Sequence, residues 1–405
     1  MSESLFPENT IYLPDGFAFS SVAAGIKASG RHDLALIECC DKTTAAALFT
    51  TNRVAAAPVQ VGLASLRSSR GSVRAVIVNS GNANCATGPA GLRACQQICR
   101  EVARSLHVKP HEVLPSSTGI IGVPLPADKI IAKLPQLIDQ RRASSEAVCQ
   151  FAQTIMTTDM RPKVASAMFS LSGRQVRILG VAKGSGMIHP KLATMLVYLF
   201  TDVVASRSIL QSALRDVCDQ TFNCISVDGD TSTNDTVLLL ANGKSGVRVA
   251  DRKVDKCFKA GLLDVCHSLA RQIVGDGEGV QHVIQLTIEG APSRKEALLI
   301  ARAIAHSPLV KTAWAGADPN WGRILAAVGN SGVPVRPELV NIFIGDQQVC
   351  RGGCAYTFNE ASAHKHLSQP QCDVRVQVGR GRYHLVFYTT DLSTEYVRIN
   401  ADYST

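Results

Sequence analysis

The segment 181–202 (VAKGSGMIHPKLATMLVYLFTD) places a threonine where a glycine-rich turn gives way to an apolar run. Thr194 stands at this junction, and the residues after it, 195–200, predict a buried strand. A hydroxyl held rigidly at the mouth of a strand suits a nucleophile. A β-branched residue also fits a strand for purely structural reasons, so these residues alone leave both interpretations open.

Five short clusters rich in glycine and polar residues lie beside apolar segments of the chain. They are SSTGIIG (116–122), KGSGM (183–187), GDTSTN (229–234), GDGEG (275–279) and GADPNWG (316–322). Each could be an ordinary turn, but tight polar turns on rigid elements are also where binding and catalytic groups lie. Together they indicate the rim of an active site. None fits a phosphate loop or a complete dinucleotide-binding glycine pattern.

Strand-like and helix-like segments alternate along the chain, which predicts a mixed α/β protein. Amphipathic helices are predicted around 92–106, 206–218 and 294–306. Strands are predicted at 74–79, 195–200, 237–240, 283–288, 340–344, 373–378 and 384–388. The length of 405 residues exceeds one typical core, so we expect two domains.

Composition and charge exclude several classes of protein. Hydrophobic residues make up 46% of the chain, yet no apolar run is long enough to predict a membrane span. The N-terminal residues lack the pattern of a signal peptide, and the odd count of 13 cysteines indicates reduced thiols, so we expect a cytoplasmic protein. The net charge of +9 comes from dispersed residues without a nucleic-acid-binding motif, so nucleic acid is not an expected partner.

The cysteines, histidines and clustered aspartates do not predict a metal site. The cysteines of 95–99 fit the apolar side of a helix, which predicts buried thiols. The cysteines of 350–354 have no second pair at zinc spacing, and the aspartates of 228–235 lack the spacing of a calcium loop. The residues 364–366 (HKH) predict a surface turn. We therefore expect neither a metal nor a bound cofactor.

The segment KGSGMIHPKLATML (183–196) resembles the self-cleavage motif of a known family. The family is that of the glutamate N-acetyltransferases, also called ornithine acetyltransferases, of arginine biosynthesis. The resemblance continues in order through GFAFSSVAAGIKASGRHDLALI, TTNRVAAAPV, VNSGNAN, SSTGIIGVPLP, TTDMRPK, SVDGDTSTNDTVLLLANG, GDGEG, GADPNWGRILAAVGNSG and YVRINADYST. It therefore covers nearly the whole chain.

The resemblance implies a two-domain α/β sandwich of β-sheets between helices, ornithine acetyltransferase-like, with self-processing of the N-terminal-nucleophile type. Members cut themselves at the bond that corresponds to Ala193-Thr194 here. We expect an N-terminal fragment, 1–193, with the oxyanion turn and the processing segment, and a C-terminal fragment, 194–405, with a tail that caps the substrate. Both fragments are expected to share cores and to assemble as an α2β2 heterotetramer.

The resemblance also implies the chemistry at the cut. The Thr194 hydroxyl attacks the preceding carbonyl, water hydrolyses the resulting ester, and Thr194 is freed with its own α-amine. An α-amine has a pKa of about 7.7–8 in peptides, so it can act as the base for the hydroxyl. The turn Thr118-Gly119 is implied to bind the oxyanion, because Gly119 allows close backbone approach and the Thr118 hydroxyl can donate.

Substrate contacts are implied at positions in four motifs. They are Thr157 or Thr158, Lys183, Thr194, Glu278, Asn400 and Thr405. The sequence does not decide which threonine of the TTD motif faces the ligand. Lys183 suits a substrate carboxylate, and Glu278 suits the side-chain ammonium of ornithine. Because the last two positions belong to the C-terminal NADYST, that tail is expected to be ordered over the site.

The implied reaction is a two-step exchange. Thr194 takes the acetyl group from N2-acetyl-L-ornithine, ornithine leaves, and the α-amine of L-glutamate takes the acetyl group from Thr194. Some members also accept acetyl-CoA, which the sequence leaves open. His189 and Lys191 stand where smaller or uncharged residues are expected, so the processing rate and substrate preference also stay open.

Two other functions fit the same residues. One is a self-processed amidase or aminopeptidase that passes the acyl group from Thr194 to water. The other is an unprocessed, non-catalytic protein that binds acetylated amino acids. Release of acetate without glutamate would favour the first, and an intact chain that binds ligand without turnover would favour the second.

Overall fold

The computed structural model describes residues 10–171, 173–189, 195–249 and 252–402, and these form three β-sheets flanked by helices. The strands are β1 (Phe17–Val22), β2 (Leu34–Cys39), β3 (Thr44–Phe49), β4 (Ala75–Asn82), β5 (Val113–Ile120), β6 (Lys163–Leu171), β7 (Arg174–Lys183), β8 (Leu196–Thr201), β9 (Thr236–Ala241), β10 (Val283–Ala291), β11 (Asn341–Ile344), β12 (Gln347–Arg351), β13 (Cys354–Ala355), β14 (Gln371–Gln377) and β15 (Tyr383–Thr390). The α-helices are α1 (Ala57–Ser68), α2 (Gly88–Leu106), α3 (Ala127–Ala132), α4 (Leu134–Asp139), α5 (Ser145–Thr154), α6 (Arg207–Gln220), α7 (Arg252–Gly275), α8 (Arg294–Ala305), α9 (Pro308–Ala315), α10 (Trp321–Gly329), α11 (Glu360–Leu367) and α12 (Thr394–Asp402).

The first sheet has the strand order β1-β2-β4-β5, and only its β4–β5 pair is parallel. Both faces of this sheet are buried. Alternate side chains of one strand point to opposite faces, so successive residues belong to different cores. On β2, Leu34 and Leu36 pack against the helices α1–α4, whereas Ala35 and Ile37 face the second sheet. The sheet therefore carries Thr118 and Gly119, near the end of β5, on a rigid support.

The second sheet has the order β3-β9-β8-β7-β6, with a parallel pair β8–β9. Every residue of β8 (LVYLFT) is buried, as expected for a central strand covered on both faces. Strands β3, β6 and β7 precede the Ala193-Thr194 bond in sequence, and β8 and β9 follow it. Hydrogen bonds between β7 and β8 thus join the two sides of that bond.

These two sheets stack face to face, and helices cover the outer face of each. The interface between the sheets contains an aromatic group in which Phe17 and Phe19 both make edge contacts with Phe200, at ring-centroid distances of 5.0 and 5.2 Å. Each such contact contributes about 0.5–1.5 kcal/mol beyond area burial. Helices α6 and α7 cover the other face of the second sheet, so the layers run helix, sheet, sheet, helix.

The third sheet, of order β13-β12-β11-β14-β10-β15, has a core of its own with α8, α9, α10 and α11. The buried indole of Trp314, on α9, belongs to that core. The sheet joins the rest of the molecule where the Ser226 N–H donates to the carbonyl of Tyr388 at 2.9 Å. The predicted mixed α/β fold, with sheets flanked by helices, is confirmed.

The three helices and seven strands predicted from local sequence patterns all occur within a few residues of their predicted positions. Strand β8 and helix α6 fall where apolar runs and spacing placed them, and Ser206 caps α6 by accepting the Ile209 N–H. The cysteines at 95 and 99 are buried on α2 as predicted, and all 13 cysteines are free. The turn predicted at 364–366 is wrong, because Asn359 caps α11 and those residues are helical. Among the described residues, no helix is both long and apolar enough to cross a membrane.

Candidate functional site

The turn predicted at Thr118 and Gly119 is wrong, because both residues belong to β5, near its end, where the register with β4 sets Gly119 opposite Gly81. Gly119 has φ +131°, and a Cβ there would overlap the carbonyl carbon of Gly81 and the nitrogen of Asn82. Only glycine fits this approach of two backbones. The Thr118 side chain beside it is buried. This end of β5 is therefore fixed in position by packing that a larger residue would disrupt.

Lys183 ends β7, and its register partner on β8 is Leu196. Its side chain is 3% exposed, and its Nζ donates to Thr157 Oγ1 at 2.8 Å and to Thr118 Oγ1 at 3.4 Å. Burial lowers the pKa of Lys183, and the negative charge of Asp159 partly offsets this effect. The ammonium group of Lys183 thus connects the TTD motif with Thr118, near the end of β5.

The two threonines of the TTD motif differ in their contacts. In the described part of the chain it is Thr157, rather than Thr158, whose hydroxyl accepts a hydrogen bond from Lys183. The Thr157 N–H in turn donates to Asp159 Oδ2 at 3.0 Å. The structure therefore brings Thr157 together with Lys183 and Thr118.

A buried ionic cluster of Asp159, Lys163 and Asp276 supports Lys183. Lys163 Nζ lies 2.7 Å from Asp159 Oδ1 and 2.6 Å from Asp276 Oδ2, and Asp159 Oδ1 also accepts the Gly184 N–H at 2.6 Å. Burial alone would raise the pKa of Asp159, but the ammonium groups of Lys183 and Lys163 outweigh burial and hold this pKa well below its usual range. Removing one partner would leave an uncompensated buried charge, so the cluster holds these segments together.

The KGSGM and GDGEG clusters are in direct contact. The Ser185 hydroxyl donates to the carbonyl of Asp276 at 2.6 Å, and the Glu278 N–H donates to the carbonyl of Ser185 at 3.1 Å. A Cβ on Gly186 would lie 2.5 Å from Cδ of Glu278. The Glu278 carboxylate thus lies against bare backbone, on the same side of the molecule as the Lys183 cluster.

The C-terminal helix α12 packs on the GDGEG cluster. Asn400 Nδ2 donates to Glu278 Oε2 at 2.9 Å, and the Ser393 hydroxyl donates to the carbonyl of Gly279 at 2.6 Å. Gly279 has φ +66°, and a Cβ there would overlap the backbone of Tyr396. The chain therefore returns to this region through Asn400, while Thr405 lies outside the described residues.

Met195, the first described residue after Thr194, is held by β9 and by the segment before it. Its N–H donates to Asp235 Oδ1 at 3.0 Å, and its carbonyl accepts the Thr236 N–H at 3.1 Å. Just before these residues, Asn234 Nδ2 donates to the carbonyl of Ser117 at 2.9 Å, beside Thr118. The start of β8 and the end of β5 therefore meet. Ala193, Thr194 and Lys191 themselves lie outside the described residues.

Four of the five glycine-rich clusters come together in this way, but the fifth has another place. GADPNWG (316–322) is the turn between α9 and α10 in the helical layer of the third sheet. There the Asn320 side chain caps α10 by accepting the Arg323 N–H. The expectation that all five clusters line one rim is therefore wrong for this cluster, whose polar residues stabilise a helix start.

His189, which stands where the family resemblance predicts a smaller or uncharged residue, has a histidine neighbour. Its Nδ1 lies 3.2 Å from Nε2 of His306, which is also 3.0 Å from the Ser226 hydroxyl. Burial lowers the pKa of His306 to about 3, and the charges of His189, Lys311 and Arg302 add to this effect. The departure at His189 is thus accommodated by a neutral partner at pH 7.

A cavity of about 970 Å³ lies between β6, α7 and the third sheet. Asp276 lines it, but neither Lys183 nor Thr118 does, so it adjoins the ionic cluster from another side. Within the described ranges, no group of three or more histidine, cysteine or acidic side chains could hold a metal ion. The polar groups described around Lys183 are hydroxyl, ammonium, carboxylate and backbone groups.

Sequence reasoning missed the charged and amide side chains that hold these clusters together. They are Asp159, Lys163, Asn234, Asp235 and Asp276. Their signal was present, since each stands in or beside a glycine-rich or TTD motif next to apolar residues. A charged residue in such a setting is buried only when it is paired, and pairing across more than a hundred residues is not visible locally.

Comparison with known proteins gives full-length matches. The profile described as "ArgJ family" matches residues 18–405. A relative from Pseudomonas syringae pv. tomato, named Arginine biosynthesis bifunctional protein ArgJ, is 39% identical over 410 residues and covers 100% of both chains. A protein of the same name from Neisseria meningitidis serogroup A is 43% identical over 411 residues, again 100% of both. A solved ornithine acetyltransferase from Mycobacterium tuberculosis, complexed with ornithine, is 37% identical over 44% of this chain and 92% of that chain, with TM-score 0.38.

Proposed function

This chain belongs to the ArgJ family, and we propose that it moves an acetyl group from N2-acetyl-L-ornithine to L-glutamate through an acetyl-Thr194 intermediate. It is an acetyltransferase of arginine biosynthesis. The observation that carries the proposal is the convergence of Thr118, Lys183 and Met195. Because Met195 directly follows Thr194 in sequence, the proposed nucleophile is attached to this group of residues.

The geometry supports distinct roles for the residues around Thr194. Thr118 and Gly119 are well suited to bind the oxyanion of the tetrahedral intermediate, because Gly119 is packed rigidly against β4. The Lys183 ammonium donates to Thr157 and Thr118 and lies 3.8 Å from Asp159, and a substrate carboxylate is proposed to bind this ammonium in exchange for one of these contacts.

Glu278 is proposed to receive the side-chain ammonium of ornithine. Its carboxylate lies against Gly186 and accepts a hydrogen bond from Asn400, so both its position and its orientation are constrained. A charge-assisted hydrogen bond of this kind is about twice as strong as a neutral one. Glu278 therefore distinguishes ornithine from amino acids with an apolar side chain. Thr405 is proposed to complete the pocket from the tail.

Self-cleavage between Ala193 and Thr194 is proposed to generate the nucleophile. The free α-amine then serves as the base for the Thr194 hydroxyl in both acetyl transfers. The ladder between β7 and β8, together with the Asn234–Ser117 hydrogen bond, would keep the fragments 1–193 and 194–405 associated after the cut. An α2β2 heterotetramer of such fragments is the proposed assembly, which native mass spectrometry would test.

A second donor, acetyl-CoA, is proposed because the relatives from Pseudomonas and Neisseria are named bifunctional. In that reaction Thr194 would take the acetyl group from the thioester, and glutamate would accept it as before. Parallel assays with N2-acetyl-L-ornithine and acetyl-CoA as donors test this directly. Formation of N-acetylglutamate from the first donor alone would restrict the enzyme to the exchange reaction.

The decisive experiment compares the wild type with Thr194→Ala by denaturing intact mass and by acetyl transfer. We expect two fragments and acetylglutamate from the wild type, and one inactive 43.2 kDa chain from the variant. Acetate release without glutamate would indicate an amidase instead. An intact wild-type chain that binds acetylornithine without turnover would indicate a binding protein.

A further inference from the structure

Asp235 is a buried carboxylate next to the proposed cleavage point. Asp235 directly precedes β9 and is 1% exposed. Its Oδ1 accepts the Met195 N–H at 3.0 Å. The Thr236 N–H donates to the carbonyl of the same Met195. Met195, the residue after Thr194, is therefore held through both its N–H and its carbonyl. The first of these hydrogen bonds keeps the Asp235 carboxylate beside the Met195 nitrogen.

The other carboxylate oxygen of Asp235, Oδ2, is unpaired within the described ranges. The Thr50 hydroxyl approaches the carboxylate, but its single proton is donated to the carbonyl of Ser232 at 2.5 Å. A buried oxygen without a partner costs about 1–3 kcal/mol, so such an atom in a native site needs a reason. A step in which this oxygen accepts a proton would provide one.

The proposed self-cleavage needs a base that the mature enzyme does not need. After the cut, the α-amine of Thr194 can accept the proton of its own hydroxyl. Before the cut, that nitrogen is part of the Ala193-Thr194 amide and cannot act as a base. Another group must therefore take the hydroxyl proton in the first turnover of the chain.

We propose that Asp235 is this base, with Oδ2 accepting the proton of the Thr194 hydroxyl. The inference rests on the proposed function, since it assumes Thr194 as the nucleophile. The Thr194 oxygen forms a bond to the Ala193 carbonyl carbon, and the bond from that carbon to the Thr194 nitrogen breaks. Asp235 passes its proton to the leaving nitrogen and becomes a carboxylate again. Water then hydrolyses the ester, giving the Ala193 carboxylate and free Thr194.

Two features of the surroundings suit Asp235 to this role. Asp235 Oδ1 accepts the N–H of Met195, and Thr194 is covalently bonded to that same nitrogen. The hydroxyl of the proposed nucleophile therefore belongs to the residue next to the one that Asp235 binds. Burial raises the pKa of Asp235, which strengthens it as a base, while the Met195 N–H and the charge of Lys183 favour the ionised form. The positive charge of Lys183, from β7, acts on Asp235, and an ammonium donates protons rather than accepting them.

The test follows cleavage with time in protein made by cell-free synthesis, using denaturing intact mass. Asp235→Asn keeps an oxygen for the Met195 N–H but cannot take a proton. We expect its cleavage to be slower by about 10²–10⁴-fold, the range for loss of a general base. Asp202→Asn is the matched control. Asp202 is also buried, follows the other end of β8, and accepts the Arg177 N–H at 3.0 Å.

The control is expected to cut at the wild-type rate, and Asp235→Glu is expected to cut faster than Asp235→Asn. Wild-type cleavage should rise with pH and level off as Asp235 ionises. A folded Asp235→Asn that cuts as fast as the wild type, or a Glu variant no faster than Asn, would overturn the base role. If the Asn variant does not fold, a wild-type cleavage rate that is flat between about pH 4 and about pH 9 overturns it. An uncut wild type would instead refute the proposed function.

Discussion

The side-chain amide of Asn234 donates to the carbonyl of Ser117 at 2.9 Å and to that of Ala83 at 2.7 Å. Asn234 precedes β9, whereas Ser117 and Ala83 belong to the end of β5 and the loop after β4. One buried side chain thus links residues from both sides of the proposed cut. Because it contacts the residue before Thr118, it fixes the proposed oxyanion-binding residues relative to the strand that begins after Thr194.

Replacing Gly119 with alanine is expected to abolish most acetyl transfer. The added Cβ would overlap Gly81 and force this end of β5 away from the position where an oxyanion donor is needed. Loss of such a donor lowers kcat by about 10²–10³-fold. Gly122→Ala is the control, because Gly122 also has a positive φ, +84°, but has no atom within 4 Å of a Cβ. Equal losses in both variants would contradict the oxyanion role.

The fold could be predicted from sequence where the signal is local. The apolar run of β8 and the helical spacing and cap of α6 depend on neighbouring residues, and both elements appear at the predicted places. The helix at 360–367 was missed because its polar sequence reads as a turn, although only Ala363 and Leu367 need to be buried to hold it. Short helices with two buried positions give a weak periodic signal.

The site could be predicted only where a family motif names it. The pair of Lys163 with Asp276 spans 113 residues, and nothing at either position indicates the other. The unpaired oxygen of Asp235 is likewise a property of packing, because burial and partners follow from the assembled sheets. Motifs led to the proposed reacting groups, whereas the residues that surround them required the structure.

The Thr157→Val variant is expected to weaken substrate use much more than Thr158→Val does. Only the first change removes the hydroxyl that accepts the Lys183 ammonium, and a hydrogen bond to a charged group contributes about 1.5–3 kcal/mol. That corresponds to a drop in kcat/KM for acetylornithine on the order of 10- to 100-fold. Steady-state kinetics on both variants provide the check. A larger loss at Thr158 would show that the substrate meets the other threonine.

Glu278→Gln is expected to weaken the binding of N2-acetyl-L-ornithine while leaving the binding of glutamate nearly unchanged. The neutral amide still accepts the hydrogen bond from Asn400, so the position of α12 is retained, but it no longer attracts the ornithine ammonium. The KM for N2-acetyl-L-ornithine should rise by about tenfold or more, while the KM for glutamate should change little. Glu395→Gln, on the exposed part of α12, serves as the control. An equal rise in both KM values would indicate a structural role for Glu278.

Asp228 is expected to make stability depend on pH. Burial raises the pKa of Asp228 to about 6, above the value of about 3.9 for an exposed aspartate, so the folded protein holds this proton more tightly. The resulting stability is fully present below about pH 4 and is lost as the pH rises through about 6. We compare the free energy of unfolding of the protein with that of the Asp228→Asn variant. The difference, protein minus variant, should therefore fall by roughly 2 kcal/mol between about pH 4 and about pH 6.

Urea unfolding at several pH values measures this difference. Both proteins should carry Thr194→Ala, so that one uncut chain unfolds in each case. The Met187 N–H donates to Asp228 Oδ2 at 2.6 Å, and asparagine retains an oxygen for it. A difference that stays constant or increases with pH would contradict the raised pKa of Asp228.

The most direct measurement of the central claim is the mass of each fragment after brief incubation with N2-acetyl-L-ornithine in the absence of glutamate. We predict that the fragment 194–405 gains the mass of one acetyl group, that fragment mapping places it on Thr194, and that adding glutamate removes it. An acetyl group on another residue, or turnover without any acetylated fragment, would contradict the account.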